Sequence, residues 1–107
     1  LYVLEDSEEV HIGSNVLMSD TIAIRTSDGH QIIDIESNEI INKSNGPILI
    51  GDNCWIARHV DIFKNSQIPN NTIVACDTLV NKKFTEEYTV LGGYPAQVLK
   101  RGVTWKK

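Results

Sequence analysis

The chain has 107 residues with a formal net charge of −4, and 41% of them are hydrophobic while 22% are charged. This length allows one hydrophobic core, and the composition is that of an ordinary globular domain. Clustered Lys and Arg, which a nucleic-acid surface needs, occur only in the last eight residues. No apolar run approaches the ~18 residues of a membrane-spanning helix, and the first residues lack the charged-then-apolar pattern of a signal segment. We therefore expect one cytoplasmic domain over residues 1–107, without a membrane span or a nucleic-acid partner.

Aliphatic residues recur at every sixth position in two stretches, 12–29 and 50–85. They are Ile12, Met18, Ile24, Ile50, Ile56, Ile62, Ile68, Val74 and Val80. On a helix six residues turn through ~600°, which would scatter these side chains around the surface. A strand accepts the period but rarely exceeds ~10 residues. The chain is therefore predicted to turn at every repeat.

The fourth and fifth positions of the hexads support this prediction. The fourth position holds residue types that tolerate a left-handed backbone and close turns. The fifth holds mostly small or β-branched residues that can fill a corner. The fourth-position residues are Asn53, His59, Asn65, Asn71 and Asp77. A hexapeptide period of this kind is typical of an all-β fold, the parallel β-helix, in which each repeat buries its apolar face against its neighbours.

Three hexads per triangular coil would stack residues that are eighteen positions apart. The predicted stacks are Ile50 on Ile68, Ile56 on Val74, and Ile62 on Val80.

The regular period is interrupted once, between the two hexad stretches. Ile24 and Ile50 are 26 positions apart, which is not a multiple of six. Residues 30–49 are therefore predicted to form a loop extruded from one corner of the coil. Long irregular insertions of this kind are often functional.

The two ends of the chain also depart from the hexads. Residues 86–107 are predicted to form a closing turn and a short basic tail. The apolar start Leu1–Leu4 has no cap, so we expect that upstream coils are missing from this chain or never preceded it, which leaves an open edge that must be covered.

The two cysteines are predicted to be unpaired. Cys54 occupies an inward corner, and Cys76 lies 22 positions later, so the two are not stacked neighbours. Neither has a second Cys or His at metal-ligand spacing. Packing is the interpretation for both.

Four elements in a fixed order resemble a known family. They are the hexads, the loop led by SDGH, the block IGDNCWIARHV and the block VLGGYPAQVLK. Together, over 12–100, they resemble the hexapeptide-repeat acyltransferases, and among them the O-acetyltransferases of sugars and surface polysaccharides. The resemblance implies a left-handed parallel β-helix and a homotrimer with active sites between subunits. It also implies acetyl-CoA as donor and a sugar or polysaccharide hydroxyl as acceptor.

His30, the last residue of the SDGH element, is the candidate general base. An alcohol attacks a thioester poorly while it keeps its proton, and a base with a pKa near neutrality contributes ~10² to 10⁴ in rate. The resemblance assigns this role to the histidine; the alternative is a solvated residue at the base of the loop. A histidine base commonly needs a partner that fixes its tautomer. Asp28 and Asp34 are both candidates.

Trp55, Ala57 and Ala75 are candidate contacts for acetyl-CoA. Strand alternation directs Trp55 outward. The resemblance suggests that it lies beside the thioester or the acceptor sugar, and the alternative is burial against the loop or a trimer neighbour. Ala57 and Ala75, stacked eighteen positions apart, would leave an outer groove for the pantetheine arm.

Lys100 and Arg101 are candidate phosphate contacts. The turn GGYPA has Gln97 where the resembled family commonly has a lysine, and these two cations could replace it. The alternative is a solvated tail.

No metal is expected. γ-Class carbonic anhydrases share the fold and use three histidines, but His11, His30 and His59 lack the closely spaced pair found there. Two other functions stay open: an N-acetyltransferase of an amino sugar or sugar nucleotide, and a non-catalytic β-helix scaffold.

Overall fold

The computed structural model describes residues 2–4, 9–44 and 46–107. Leu1 and Asn45, which belong to the predicted start and loop, lie outside the described residues. Twelve short strands and no helix occur in the described ranges. The strands are β1 (Tyr2–Leu4), β2 (Val10–Ile12), β3 (Leu17–Met18), β4 (Ala23–Arg25), β5 (Ile48–Ile50), β6 (Trp55–Ile56), β7 (Asp61–Ile62), β8 (Gln67–Ile68), β9 (Thr72–Val74), β10 (Leu79–Val80), β11 (Thr89–Gly93) and β12 (Ala96–Arg101).

Three sheets of parallel strands form the walls of a triangular coil. One wall has the order β1-β4-β7-β10, the second β2-β5-β8, and the third β12-β11-β9-β6-β3, in which only the β11–β12 pair is antiparallel. From β1 to β10, successive strands of the chain enter successive walls, so each complete coil takes one strand from each sheet. The predicted parallel β-helix is therefore observed.

The predicted eighteen-residue stacking is confirmed. Ile50 pairs with Ile68, Ile56 with Val74, and Ile62 with Val80. The earlier hexads join the same columns across the insertion. Their pairs are Ile12 with Ile50, Met18 with Ile56, and Ile24 with Ile62.

The fourth position of seven described hexads has a left-handed backbone. The φ angles of these residues lie between 55° and 66°. They are Asn15, Thr21, Asn53, His59, Asn65, Asn71 and Asp77. Because Asn and Asp tolerate this conformation at low cost, the coil turns here without requiring glycine.

The first and fifth positions of the hexads supply the core. Ile24, Ile56 and Val80 are fully buried in first positions, and Cys54 and Val60 are fully buried in fifth positions. The first-position residues Ile12 and Met18 are less covered, since β2 and β3 are edge strands within the described part of their sheets. Ile12 is 42% exposed for this reason.

The interruption of the coil differs in extent from the prediction. Ile48–Ile50 is already strand β5, so the irregular segment between β4 and β5 spans residues 26–47. Inside it, Ile33 and Ile40 form an antiparallel bridge, and Ile41 N donates to Ile32 O at 2.9 Å. The insertion thus folds back on itself and returns to the coil.

The C-terminal segment is more ordered than the predicted turn and tail. Strands β11 and β12 form a hairpin around Tyr94 and Pro95, and β11 continues the wall by pairing with β9. Leu91 and Ala96 are buried and belong to the hydrophobic core. Residues 86–88, the turn at Tyr94 and Pro95, and the residues after Arg101 lie outside the strands.

No helix of the part that the structure describes is long and apolar enough to cross a membrane.

Candidate active site

His30 lies at the start of the insertion, five residues after β4 ends. The turn before it is made by Gly29, whose φ is 84° and whose N–H donates to Ser27 Oγ at 3.1 Å. The His30 side chain is exposed, and its backbone carbonyl accepts a hydrogen bond from Asn42 Nδ2 at 2.9 Å. The residue is therefore fixed through its backbone while its imidazole faces solvent, where an acceptor hydroxyl could reach it.

Asp28, a candidate partner of His30, is held by other residues. Its Oδ2 accepts hydrogen bonds from Lys64 Nζ at 2.6 Å and from Asn42 Nδ2 at 2.7 Å. These donors, Lys64 first, hold the pKa of the Asp28 carboxyl below its usual value. Asp28 is thus a firmly ionised carboxylate whose hydrogen bonds go to Lys64 and Asn42.

Asp34, the second candidate, stabilises a turn inside the insertion. Its Oδ2 accepts a hydrogen bond from Ser37 N at 2.8 Å, and its carbonyl accepts one from Asn38 N at 2.8 Å. The hydrogen bond from the Ser37 backbone is the main cause that lowers the pKa of Asp34. The tautomer-fixing role of either aspartate stays a prediction.

Lys64 and Asn42 were not among the candidates drawn from the sequence. Lys64 follows β7 in the middle of a hexad, and Asn42 lies in the irregular insertion. Lys64 Nζ also donates to the carbonyl of Asn42, and Asn42 Oδ1 accepts from Ile32 N at 2.7 Å. Neither residue has a local sequence signal, because their contacts join segments that are 22 and 36 positions apart.

Trp55 lies on the outer face of β6 and is 36% exposed, in agreement with the predicted outward direction. Its described aromatic partner is Trp105, with ring centroids 6.3 Å apart and planes tilted by 44°. The Trp105 indole N–H donates to the Asn53 carbonyl at 2.7 Å, which fixes the end of the chain against this wall. The last residues therefore extend the surface beside Trp55, and no local spacing in the sequence predicts this contact.

Ala57 and Ala75 lie in adjacent coils, as predicted. They directly follow the paired residues Ile56 and Val74, and Ala57 N donates to Val74 O at 2.9 Å. Ala57 is buried and Ala75 is half-buried. The column of small residues continues at Gly92, where an added Cβ would lie 3.4 Å from the Ala75 methyl and 2.4 Å from Leu99 Cδ1. Leu99 therefore covers the column at its hairpin end.

Lys100 and Arg101 are exposed on β12, the edge strand of the wall that contains Trp55. Two strands, β11 and β9, separate β12 from β6, which corresponds to about 14 Å at ~4.8 Å per strand. Arg101 Nε is 2.9 Å from Glu86 Oε1, an exposed ion pair that contributes little to stability. Both cations thus share a wall with Trp55 but lie at its far edge.

The three histidines lie in three different parts of the fold. His11 is on β2, where its ring is 2.6 Å from Glu9, and His59 forms a corner with Nδ1 3.5 Å from Asp77. Within residues 9–44 and 46–107, no cluster of His, Cys, Asp or Glu could hold a metal ion.

The two cysteines differ in environment. Both are free, but Cys54 is buried whereas Cys76 is exposed, so the packing interpretation is wrong for Cys76. Cys76 occupies the third position of its hexad, which points away from the core. Burial raises the pKa of the Cys54 thiol.

A groove of about 390 Å³ adjoins the base of the insertion. It connects this region with the tip of the C-terminal hairpin. Its walls are Arg25, Ser27, Asp28, Asp61, Phe63 and Tyr94.

Comparison with known proteins gives a consistent result. No protein-family model matches the chain. The chain is 30% identical over 105 residues to a polysialic acid O-acetyltransferase of Escherichia coli O1:K1, covering 98% of this chain and 34% of that protein. The solved polysialic acid O-acetyltransferase OatWY superposes with a TM-score of 0.90 at 32% identity, over 98% of this chain and 49% of the other. The chain has the fold of the hexapeptide-repeat acetyltransferases.

The resemblance seen in the hexads is therefore confirmed, and with it the left-handed parallel β-helix. A hexapeptide-repeat acetyltransferase of Vibrio cholerae O1 biovar eltor, solved with acetyl coenzyme A, matches with a TM-score of 0.59 at 25% identity, over 94% of this chain and 64% of that one. The chain spans about a third of the curated E. coli relative and about half of OatWY.

Proposed function

We propose that the protein is an acetyl-CoA-dependent O-acetyltransferase acting on a sugar or polysaccharide hydroxyl, with His30 as general base. The similarity over 98% of the chain to polysialic acid O-acetyltransferases carries this proposal. The exposed imidazole of His30 at the start of the insertion supports it. Both of these relatives are named as O-acetyltransferases of polysialic acid, so we prefer a polysaccharide hydroxyl to an amine as the acceptor.

The proposed reaction transfers one acetyl group without an external oxidant or metal. The imidazole of His30 accepts the hydroxyl proton as the acceptor oxygen attacks the thioester carbonyl carbon. The new C–O bond forms as the C–S bond breaks, and the proton passes to the departing sulfur. The products are the O-acetyl sugar and free CoA.

The chain offers suitable groups for a bound acetyl-CoA. The outer face of Trp55 provides an apolar surface, and the adjacent small residues Ala57 and Ala75 leave room for a narrow acyl-pantetheine arm. Lys100 is an exposed cation for the phosphates. Arg101 can exchange its exposed partner Glu86 for a phosphate, because such ion pairs are weak in water. The solved Vibrio cholerae neighbour contains acetyl coenzyme A, which supports the same donor here.

A homotrimer is part of the proposal. Four isoleucines of the insertion are at least 46% exposed. Single apolar residues on a surface are ordinary, but four in one segment expose more apolar surface than a monomer usually shows. A closed three-fold arrangement would cover this segment and complete a site between subunits. The isoleucines are Ile32, Ile33, Ile35 and Ile41. Ile40, which forms a backbone bridge with Ile33, is half-buried.

The two free cysteines are compatible with a reducing compartment, and we retain the cytoplasmic location as part of the proposal.

Acetyl transfer is tested with acetyl-CoA and a panel of acceptors that contains polysialic acid, galactosides and an amino sugar. We expect O-acetyl product and release of free thiol. His30→Ala should lower transfer by at least ~10² while acetyl-CoA affinity changes only a few-fold, because His30 acts on the acceptor.

His11→Ala is the matched control, since His11 lies on a different wall from Trp55. It should leave transfer unchanged. Retained transfer in His30→Ala would show that another residue is the base. Acetyl-CoA binding without turnover of any acceptor would favour the scaffold function.

A further inference from the structure

A three-residue cluster joins the beginning and the end of the insertion to the coil. We call Asp28, Asn42 and Lys64 the clasp. Lys64 lies on the coil after β7, Asp28 precedes His30, and Asn42 lies on the returning part of the insertion. Lys64 Nζ donates to Asp28 Oδ2 at 2.6 Å and to the carbonyl of Asn42, so one cation contacts both ends.

The Lys64–Asp28 ion pair is less exposed than the other described ion pairs. Its side chains are 15% and 35% exposed, whereas both partners of each other described pair are 48% exposed or more. Removing a charged pair from water is costly unless its geometry is good and its remaining hydrogen-bonding groups are satisfied. Here the second donor to Asp28 is Asn42, at 2.7 Å. The ion pair therefore holds both ends of the insertion in one position relative to the coil.

Asn42 transmits this arrangement to His30. Its Nδ2 donates to the His30 carbonyl at 2.9 Å, and its Oδ1 accepts from Ile32 N at 2.7 Å. The two peptide groups that follow His30 in the chain are thus held by one amide side chain. Lys64 in turn holds Asn42 in place, because Lys64 Nζ donates a hydrogen bond to the Asn42 backbone carbonyl.

We propose that Lys64, acting through Asn42, is a positioning residue that fixes the backbone of His30 for acetyl transfer. This inference rests on the proposed function in that it takes His30 as the base. Lys64 contacts the insertion and not the reacting atoms. A displacement of a base by about 1 Å can cost ~10² in rate, so loss of the clasp should appear in turnover and not in donor binding.

The kinetic test uses Lys64→Met, which keeps much of the side-chain volume and removes the charge. We expect kcat to fall by ~10 to 10², with the KM for acetyl-CoA within about twofold. Lys64→Arg, which retains a cation, should recover most of the activity. Lys43→Met is the matched control, because Lys43 is an exposed cation of the same insertion and should leave kcat unchanged.

A double-mutant cycle separates positioning from general structural damage. In a His30→Ala background the base is already absent, so Lys64→Met should change the residual rate by less than about twofold. If Lys64→Met lowers the rate by the same factor in both backgrounds, its role is structural and the proposal is overturned.

A spectroscopic measurement keeps the test independent of turnover. We expect Lys64→Met to change the NMR signals of the His30 ring while those of His11 and His59 stay in place. It should also speed hydrogen exchange at the Ile32 amide. If the wild-type protein shows no transfer activity while Lys64→Met causes these spectral and exchange changes, the proposed function is refuted and the clasp stays supported. Unchanged His30 signals would overturn the clasp.

If Lys64→Met does not fold, Asn42→Ala provides the same test with the cation retained. It removes the hydrogen bond that Asn42 donates to the His30 carbonyl and the one that it accepts from Ile32 N, so it should give the same fall in kcat and the same NMR changes. A folded Asn42→Ala protein with wild-type kcat and wild-type His30 signals would overturn the proposal.

Discussion

Substitutions of Ile56 test the stacked core most directly. Its side chain is fully buried and lies between Met18 on one neighbouring coil and Val74 on the other. Ile56→Val removes one methylene, worth about 0.8 kcal/mol in transfer free energy and ~0.5 to 1.5 kcal/mol in comparable measurements. Ile56→Ala should cost ~2 to 5 kcal/mol.

Ile56→Asp combines two costs. It loses about 1.5 to 3 kcal/mol of apolar burial, and it places a carboxylate where no described partner can stabilise the charge. The second cost is several kcal/mol or more. Against a total stability of ~5 to 15 kcal/mol for a domain of this size, the variant should not fold.

Thermal melting followed by circular dichroism, at one fixed protein concentration, measures this series. Ile56→Val should lower the melting temperature by roughly 4 to 8 °C per kcal/mol lost. Asn81→Ala is the control, since Asn81 is exposed and should change stability by less than about 0.5 kcal/mol. A soluble Ile56→Asp protein that melts like wild type would refute the placement of Ile56 in the core.

Three further predictions concern the proposed trimer, the charge of Asp28 and the burial of the two cysteine thiols. Transfer activity per chain should fall on dilution as the proposed trimer dissociates, and sedimentation showing a fully active monomer would contradict the shared site. The lowered pKa of Asp28 means that its ionised form stabilises the fold at neutral pH and that this contribution is lost as pH falls below the ordinary value of 3.8. The difference in melting temperature between wild type and Asp28→Asn should therefore shrink in acid. A difference that stays constant with pH would show that the Lys64 contact is not the cause. A thiol reagent should label exposed Cys76 in native protein but label buried Cys54 only after denaturation, and equal labelling rates in native protein would contradict this difference in burial.

The sequence by itself determined the coil. The six-residue period, the left-handed corners at residues such as Asn53 and Asn71, and the stacking of Ile56 on Val74 were all predicted and confirmed. They were predictable because each coil depends on residues within one repeat and on a neighbour at a fixed spacing. Handedness was not contained in the period, and it came from resemblance and then from superposition.

The tertiary structure decided what surrounds His30 and Trp55. The sequence offered Asp28 and Asp34 as partners of the histidine, but Asp28 is bonded to Lys64, 36 positions away. It placed Trp55 outward, yet only the folded chain brings Trp105 beside it. These contacts form between the insertion, the C-terminal end and the coil, which share no common period. Their geometry depends on how irregular segments pack, and no local spacing in the sequence specifies that packing.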